Sequence, residues 1–246
     1  TRVRSSAASD VYKRQLSLPD LPARSPALGR VDFVSGGAIT TAALFCLARL
    51  PDLVMQCRVF EPDRLDLTNL NRYPLARRSD CGLLKVHVLE RAASHRLEIA
   101  GIPERFDEAA FGRHGPLAPR VLVGVDDIPS RWEVQRRATA WVCVGATSHL
   151  WHAMVTTHRP NEPCAGCAHP RDDDLQALLP TISFVSFWAG LMQVRALLAD
   201  GHELAPPDPQ FLVSPAGLFG PRGILGLGLA PNESCPVGCR ASTKAA

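Results

Sequence analysis

The sequence predicts an α/β protein on a doubly wound, mostly parallel sheet, and three observations predict it. Short apolar runs of strand length alternate with longer helix-like runs from residue 30 to residue 144. Three of the strand runs close on turn or acidic residues, at Gly36-Gly37, Glu61 and Asp126-Asp127. Strands alternating with helices of this length imply βαβ units. In such Rossmann-like sheets ligands bind beyond the carboxyl ends of the strands, where Gly37, Glu61 and Asp126 all fall.

Residues 30–34 read as the first strand, followed by the Gly36-Gly37 turn and a helix-like run over 38–50 that stops at Pro51. A second strand over 57–60 ends at the acids Glu61 and Asp63. Residues 83–96 have helical periodicity and 97–102 suit a third strand. Residues 121–125 form a buried strand, 129–140 a helix with proline in its first turn, and 141–144 another strand. The remainder is different in kind. Residues 160–170 are rich in proline and cysteine, 171–175 are acidic, and Leu212 and 220–228 suggest short strands or loops. Residues 182–199 are apolar but carry Gln193 and Arg195, so they read as a buried amphipathic helix and not a membrane span.

Residues 5–15 resemble an in-frame translation of a sequencing-library adapter and are set apart from fold reasoning, which places the start of genuine sequence near Leu16. The exclusion changes the electrostatics. Arg2, Arg4, Lys13 and Arg14 against Asp10 account for the whole formal charge of +3, and a neutral remainder gives no nucleic-acid footprint. Eight cysteines with no secretory signal argue for reduced thiols or metal ligation and a cytoplasmic protein.

The glycine turn alone is a weak signal. A strand, a tight turn and a helix start present backbone N–H groups to a phosphate, but of three fingerprint positions only Gly37 is glycine; the others are Ser35 and Thr40. The next segment is more specific: Glu61-Pro-Asp63, then Thr68-Asn69-Leu70-Asn71-Arg72, then Gly82 and Lys85. It resembles the ThiF/MoeB-type adenylating family, small relatives of ubiquitin-activating enzymes, whose pattern is acid-x-Asp, Ser-Asn-Leu-x-Arg and Gly-x-x-Lys. The resemblance continues through Asp126-Asp127, Arg131 and Cys164-x-x-Cys167, over most of the chain.

The resemblance implies a site for Mg²⁺-ATP. Arg72 and Lys85 would contact the phosphates, Asn69 would position them, and Asp126 would hold Mg²⁺. Gly37, Ala38, Asp63, Thr68, Asn71 and Asp127 would complete the nucleotide contacts, and Glu61 stands where an acid binds ribose hydroxyls. Such cations are what the chemistry needs, since charge develops when a carboxylate attacks the α-phosphate. Read singly, Arg72 and Lys85 are also ordinary surface cations, and Asp126-Asp127 also suits a helix cap. Arg131 suits a brace for the Asp126 loop. Family members also carry an N-terminal Tyr-x-Arg-Gln stretch that Tyr12-Lys13-Arg14-Gln15 imitates from within the adapter-like run.

The pairs Cys164/Cys167 and Cys235/Cys239 suit a structural Zn²⁺ that ties the C-terminus back; free thiols are the alternative. No cysteine lies at 169–180, where a thioester cysteine would be expected. Cys143 reads as buried in a strand and Cys46 in a core-facing helix, which leaves Cys81 as the one exposed candidate. His149, His152 and His158 show no metal spacing and read as solvated or structural.

The expectation is therefore an ATP-dependent enzyme that adenylates the C-terminal carboxylate of a ubiquitin-like or sulfur-carrier protein or a peptide. Residues 16–158 would form the nucleotide-binding half and 159–246 the zinc-tied C-terminal half. A homodimer is implied by the resemblance, with no nucleic-acid or membrane partner. The alternatives are a nucleotide-dependent oxidoreductase and a non-catalytic scaffold on the same fold.

Overall fold

A computed structural model describes residues 27–50, 52–148, 151–171, 183–200, 210–214 and 225–239. The adapter-like run, His149 and the acidic stretch after Arg171 lie outside them. Among the described residues, eight strands form: β1 (Ala27–Val34), β2 (Val54–Phe60), β3 (Leu97–Ile102), β4 (Arg120–Val123), β5 (Trp141–Thr147), β6 (Ala153–His158), β7 (Phe211–Ser214) and β8 (Leu225–Leu227). The helices are α1 (Ala38–Leu47), α2 (Lys85–Glu90), α3 (Glu108–His114), α4 (Ile128–Arg137), α5 (Ala165–Ala168) and α6 (Ser183–Asp200).

All eight strands join one sheet in the order β3-β2-β1-β4-β5-β6-β7-β8. Pairing is parallel from β3 to β5 and antiparallel from β5 to β8. The predicted doubly wound sheet is thus present, with an antiparallel extension. On one face Val31, Phe33, Met55, Val59 and Leu122 pack with Leu44 of α1 and Ala189 and Met192 of α6. The α1–α6 crossing depends on Gly190. A methyl group there would lie 2.6 Å from the Ile39 carbonyl and 2.8 Å from Ala42 Cβ, well inside van der Waals contact.

On the other face Val34, Phe60, Phe106, Val123 and Val134 cluster at the carboxyl ends, with Val121 and Val142 extending the cluster along β4 and β5. Helix α3 is too short to roof the leading half of β1–β3, so that face is polar. Arg30, Gln56 and Glu98 are exposed there, and Gln56 donates to Glu98 at 3.0 Å. Buried Asp32 takes a two-armed bond from Arg58, at 2.9 and 2.6 Å, and the Ala118 N–H at 2.7 Å. Parallel strands usually read as unbroken apolar runs because both faces are covered; on β1–β3 the exposed Arg30, Gln56 and Glu98 interrupt that pattern.

Several boundaries differ from the sequence reading. Helix α1 ends at Leu47, and Cys46 on its last turn is half-buried and packs against the core. Helix α2 covers only Lys85–Glu90, because its start is fixed by the preceding loop and the chain turns at Ala92 and Ala93. Helix α3 and strand β6 escaped the sequence reading. Seven residues are too few for a periodic signal, although Asp107 caps α3 through the Ala110 N–H and Gly115, with φ +72°, ends it. His158, at the end of β6, is fully buried between Thr156 Oγ1 at 2.8 Å and the Pro163 carbonyl at 2.9 Å. Among the described residues, no helix is long and apolar enough to cross a membrane.

Candidate nucleotide site and cysteine knuckle

Strand order reverses between β1 and β4, and the crevice at their carboxyl ends is where such sheets receive ligands. The β1–α1 loop enters it through Ser35, Gly36 and Gly37. Ser35 has φ +87°, a conformation that costs a non-glycine residue about 1 kcal/mol or more. Its side chain offsets part of that, since Oγ accepts the Gly37 N–H at 3.0 Å. Gly36 is required by crowding: a methyl group there would meet Glu61 Cγ at 2.9 Å and Leu89 Cδ1 at 3.1 Å.

Glu61 is 5% exposed and turned into the loop. One carboxylate oxygen accepts the Gly36 N–H at 2.7 Å; the other accepts the Asp63 N–H at 3.0 Å and lies 3.8 Å from Lys85 Nζ. Lys85, 9% exposed, donates to Asp63 at 2.9 Å, and Tyr73 presents its ring 5.9 Å from the ammonium. Burial pulls the Lys85 pKa down, but Tyr73, Asp63 and Glu61 together outweigh it and leave the pKa raised. Burial likewise raises that of Tyr73.

A cavity of about 150 Å³ collects Gly37, Ala38, Glu61, Asp63, Asn69, Arg72, Lys85 and Asp126. Arg72 leans on its own turn, bonded to the Thr68 carbonyl and Asn71 Oδ1, both at 2.8 Å. Thr68 and Asn71 do not line the cavity. Thr68 bonds Asp66 at the start of a 3-10 turn over Leu67–Asn69, and Asn69 Oδ1 accepts the Asp66 N–H at 2.9 Å. Asp127 lines an adjoining cavity of about 210 Å³ and caps α4 through the Ser130 N–H at 2.9 Å. Arg105 crosses that cavity's lining to reach Asp127 at 2.8 Å. Sequence reasoning missed Tyr73, Gly124, Thr147 and Ser186, which also line the smaller cavity.

The four cysteines meet. Their Sγ atoms all lie within 4.8 Å of one another, with Cys164–Cys235 and Cys167–Cys239 at 3.4 Å and Cys235–Cys239 at 3.7 Å. Tetrahedral zinc with Zn–S of about 2.3 Å would space sulfurs by about 3.8 Å, so the set fits that ion. Burial raises the Cys164 and Cys239 thiols, while neighbouring amides and thiols outweigh burial at Cys235 and bring it down to about 7. Cys143 and Cys57 are buried, the latter pushed up to about 12 by that burial, and Cys81 is half-buried.

The fold and crevice define a doubly wound α/β protein with a polar cavity at its switch point and a cysteine knuckle. A sequence model of the ThiF family matches residues 53–204, more than half of the chain, and the chain belongs to that family. It is 32% identical over 116 residues to an uncharacterized protein, y4jF, of Sinorhizobium fredii (strain NBRC 101917 / NGR234). That match covers 47% of this chain and 22% of the relative, so the chain spans about a fifth of it. E. coli MccB crystallised with AMPCPP and selenomethionyl MccA superposes with a TM-score of 0.67 at 15% identity, covering 85% of this chain and 66% of MccB. MccB has also been crystallised with ATP. Selenomethionyl PaaA gives a TM-score of 0.61 at 13% identity over 93% of this chain and 76% of its own. Likeness at such identities is likeness of fold.

Proposed function

We propose that this chain binds Mg²⁺-ATP in the crevice and adenylates the C-terminal carboxylate of a ubiquitin-like or sulfur-carrier protein or a peptide. The observation that carries the reading is the convergence of Gly37, Asn69, Arg72, Lys85 and Asp126 on one small polar cavity at the switch point. A carboxylate oxygen would bond to the α-phosphorus while the bond to the β-phosphate breaks and pyrophosphate leaves. Arg72, released from its own turn, and Lys85, released from Asp63, would neutralise the oxygens on which charge grows. The N-terminal end of α1 at Gly37 adds a dipole of the right sign. Asp126 would hold Mg²⁺, which supplies further charge neutralisation when bound. Cys164, Cys167, Cys235 and Cys239 would hold Zn²⁺ as a structural tie. MccB, with its ATP and MccA complexes, supports a two-substrate crevice of this kind, and a homodimer belongs to the same proposal.

A second reading, a non-catalytic scaffold, draws on one observation: Ser35 and Glu61 already occupy the Gly37 and Gly36 N–H groups. The experiment incubates the protein with Mg²⁺-ATP and the small carrier proteins or peptides encoded beside it, followed by mass spectrometry. The proposal expects a partner heavier by one AMP, with pyrophosphate released. ATP left intact with every candidate supports the scaffold, and ADP as the product contradicts adenylation.

A further inference from the structure

Helix α4 touches both sites. Arg131, on its first turn, is 7% exposed, yet no carboxylate among the described residues pairs with it. Its Nε and Nη2 donate to the Val125 carbonyl at 3.2 and 3.1 Å, and Nη2 also reaches the Asp126 carbonyl at 3.3 Å. The remaining arm, Nη1, stands 3.3 Å from His169 Nε2. A guanidinium only donates, so His169 Nε2 is the acceptor and carries no proton.

His169 belongs to the cysteine knuckle. It follows α5, whose turn runs from Cys164 through Cys167, and its N–H bonds the Ala165 carbonyl at 2.9 Å. Its own carbonyl accepts Trp132 Nε1 at 2.8 Å. Further along α4, Gln135 Oε1 accepts the Ala165 N–H at 3.1 Å and Arg136 donates to the Pro236 carbonyl at 3.1 Å. One helix thus rests on both arms of the knuckle while its first turn grips the backbone that carries Asp126. A buried cation whose acidic neighbours, Asp126 and Asp127, act only from beyond ion-pair distance is costly, and an apolar side chain would fill the space more cheaply. What the guanidinium adds is a rigid fork with a fixed angle between loop and knuckle.

We propose that Arg131 is a positioning residue for the Asp126 loop, and that the cysteine site sets the firmness of its grip through His169. With the four thiols drawn onto zinc, His169 is held and the guanidinium is locked between imidazole and carbonyls. With the thiols released, His169 shifts, that arm of Arg131 loses its acceptor, and the Val125–Asp127 backbone loosens. The nucleotide consequence rests on the function proposed above; the loop consequence does not.

The test therefore reads both. Amide hydrogen exchange over residues 121–134 reports the loop without ligand, and titration with the Mg²⁺ complex of a non-hydrolysable ATP analogue reports the nucleotide. Stripping zinc from wild type should speed exchange at the loop and weaken the analogue, each about tenfold, a usual size for coupling between sites. His169→Gln retains an acceptor near Nε2 and should keep both responses. His169→Leu, still holding zinc, should exchange fast from the outset and respond no further to stripping. Arg131→Lys, which keeps the charge but loses the fork, should do the same from the other end, and it carries the test if His169→Leu fails to hold zinc. Wild-type exchange indifferent to zinc, a protein that takes up no zinc, or variants that respond like wild type would overturn the proposal. Exchange that responds as expected in a protein that ignores the analogue leaves the coupling standing and removes the nucleotide reading.

Discussion

Strands β1 to β5 and the cysteine knuckle are held in place by different forces. In the parallel part Val31, Phe33, Val59, Leu122 and Val144 are almost wholly buried, so each strand end is fixed by a backbone ladder and by apolar area on at least one face. Beyond β5, helix α6 and residues Ala153, Val155 and Leu212 still join that core, whereas Leu225 and Leu227 of β8 are exposed. The knuckle and the segment leading to it are positioned by a few polar links: His158 and Gln210 on the Pro163 carbonyl, α4 on the knuckle, and four cysteines. Area-driven burial tolerates the loss of one contact, whereas a linkage of single bonds does not. The two halves should therefore answer differently to chelators, acid and substitution.

The largest difference should come from the knuckle. Cys167→Ser removes one of four ligands, and structural zinc contributes directly to folding free energy. A loss of about 3 kcal/mol would lower the melting temperature by roughly 6–12 °C in a domain of this size. Metal analysis should show the variant short of the one zinc per chain expected of wild type. A chelator should lower the wild-type melting temperature by a similar amount and leave that of Cys167→Ser unchanged.

Acid should separate the halves next. Burial holds the His158 pKa at about 4 against an ordinary value of about 6.5. The folded imidazole stays neutral while the unfolded chain takes up a proton, so this stability is complete above about pH 6.5. It is lost as pH falls toward 4. At about 1.4 kcal/mol per pH unit, His158 should cost roughly 1–2 kcal/mol between pH 7 and pH 5. Urea unfolding at the two pH values should show that loss in wild type and a shallower one in His158→Gln. Equal slopes would mean that the His158 site is wetter than its geometry implies.

The smallest effect concerns the β1–α1 loop. Ser35→Gly relieves the left-handed strain but forfeits the Oγ bond, and should be nearly neutral. Ser35→Ala keeps the strain and loses the bond, so it should be less stable than Ser35→Gly by about 1 kcal/mol. Equal stabilities would show that Ser35 is relaxed.

This contrast also explains what was legible in the sequence. Buried strands such as residues 121–123 and 141–144 announce themselves as apolar runs, and the turn and acidic residues after the strand runs marked Gly37, Glu61 and Asp126. The spacing of Cys164, Cys167, Cys235 and Cys239 likewise announced a meeting that the geometry shows. Thr147 and Ser186 could not be found this way, because only the sheet order and the α6 packing bring them to the cavity. Strand β6 was hidden because Thr156 and His158 look solvated until a partner strand and the Pro163 carbonyl enclose them. The inward turn of Glu61 was hidden too, since it depends on Gly36 offering its N–H at that point.

The central claim is that the cavity at the switch point handles the phosphates of ATP. It is tested most directly by exchange of labelled pyrophosphate into ATP, with the carboxylate partner present, in wild type, Arg72→Ala and Lys85→Ala. The account predicts exchange in wild type that depends on the partner, and a fall of about 10²–10³-fold in each variant, as expected when a charge-stabilising group is removed. Both variants should retain the wild-type fold, Lys85→Ala with some loss of stability from the orphaned Asp63 and Glu61 carboxylates. Variants that exchange at the wild-type rate would contradict the account and place the phosphates elsewhere.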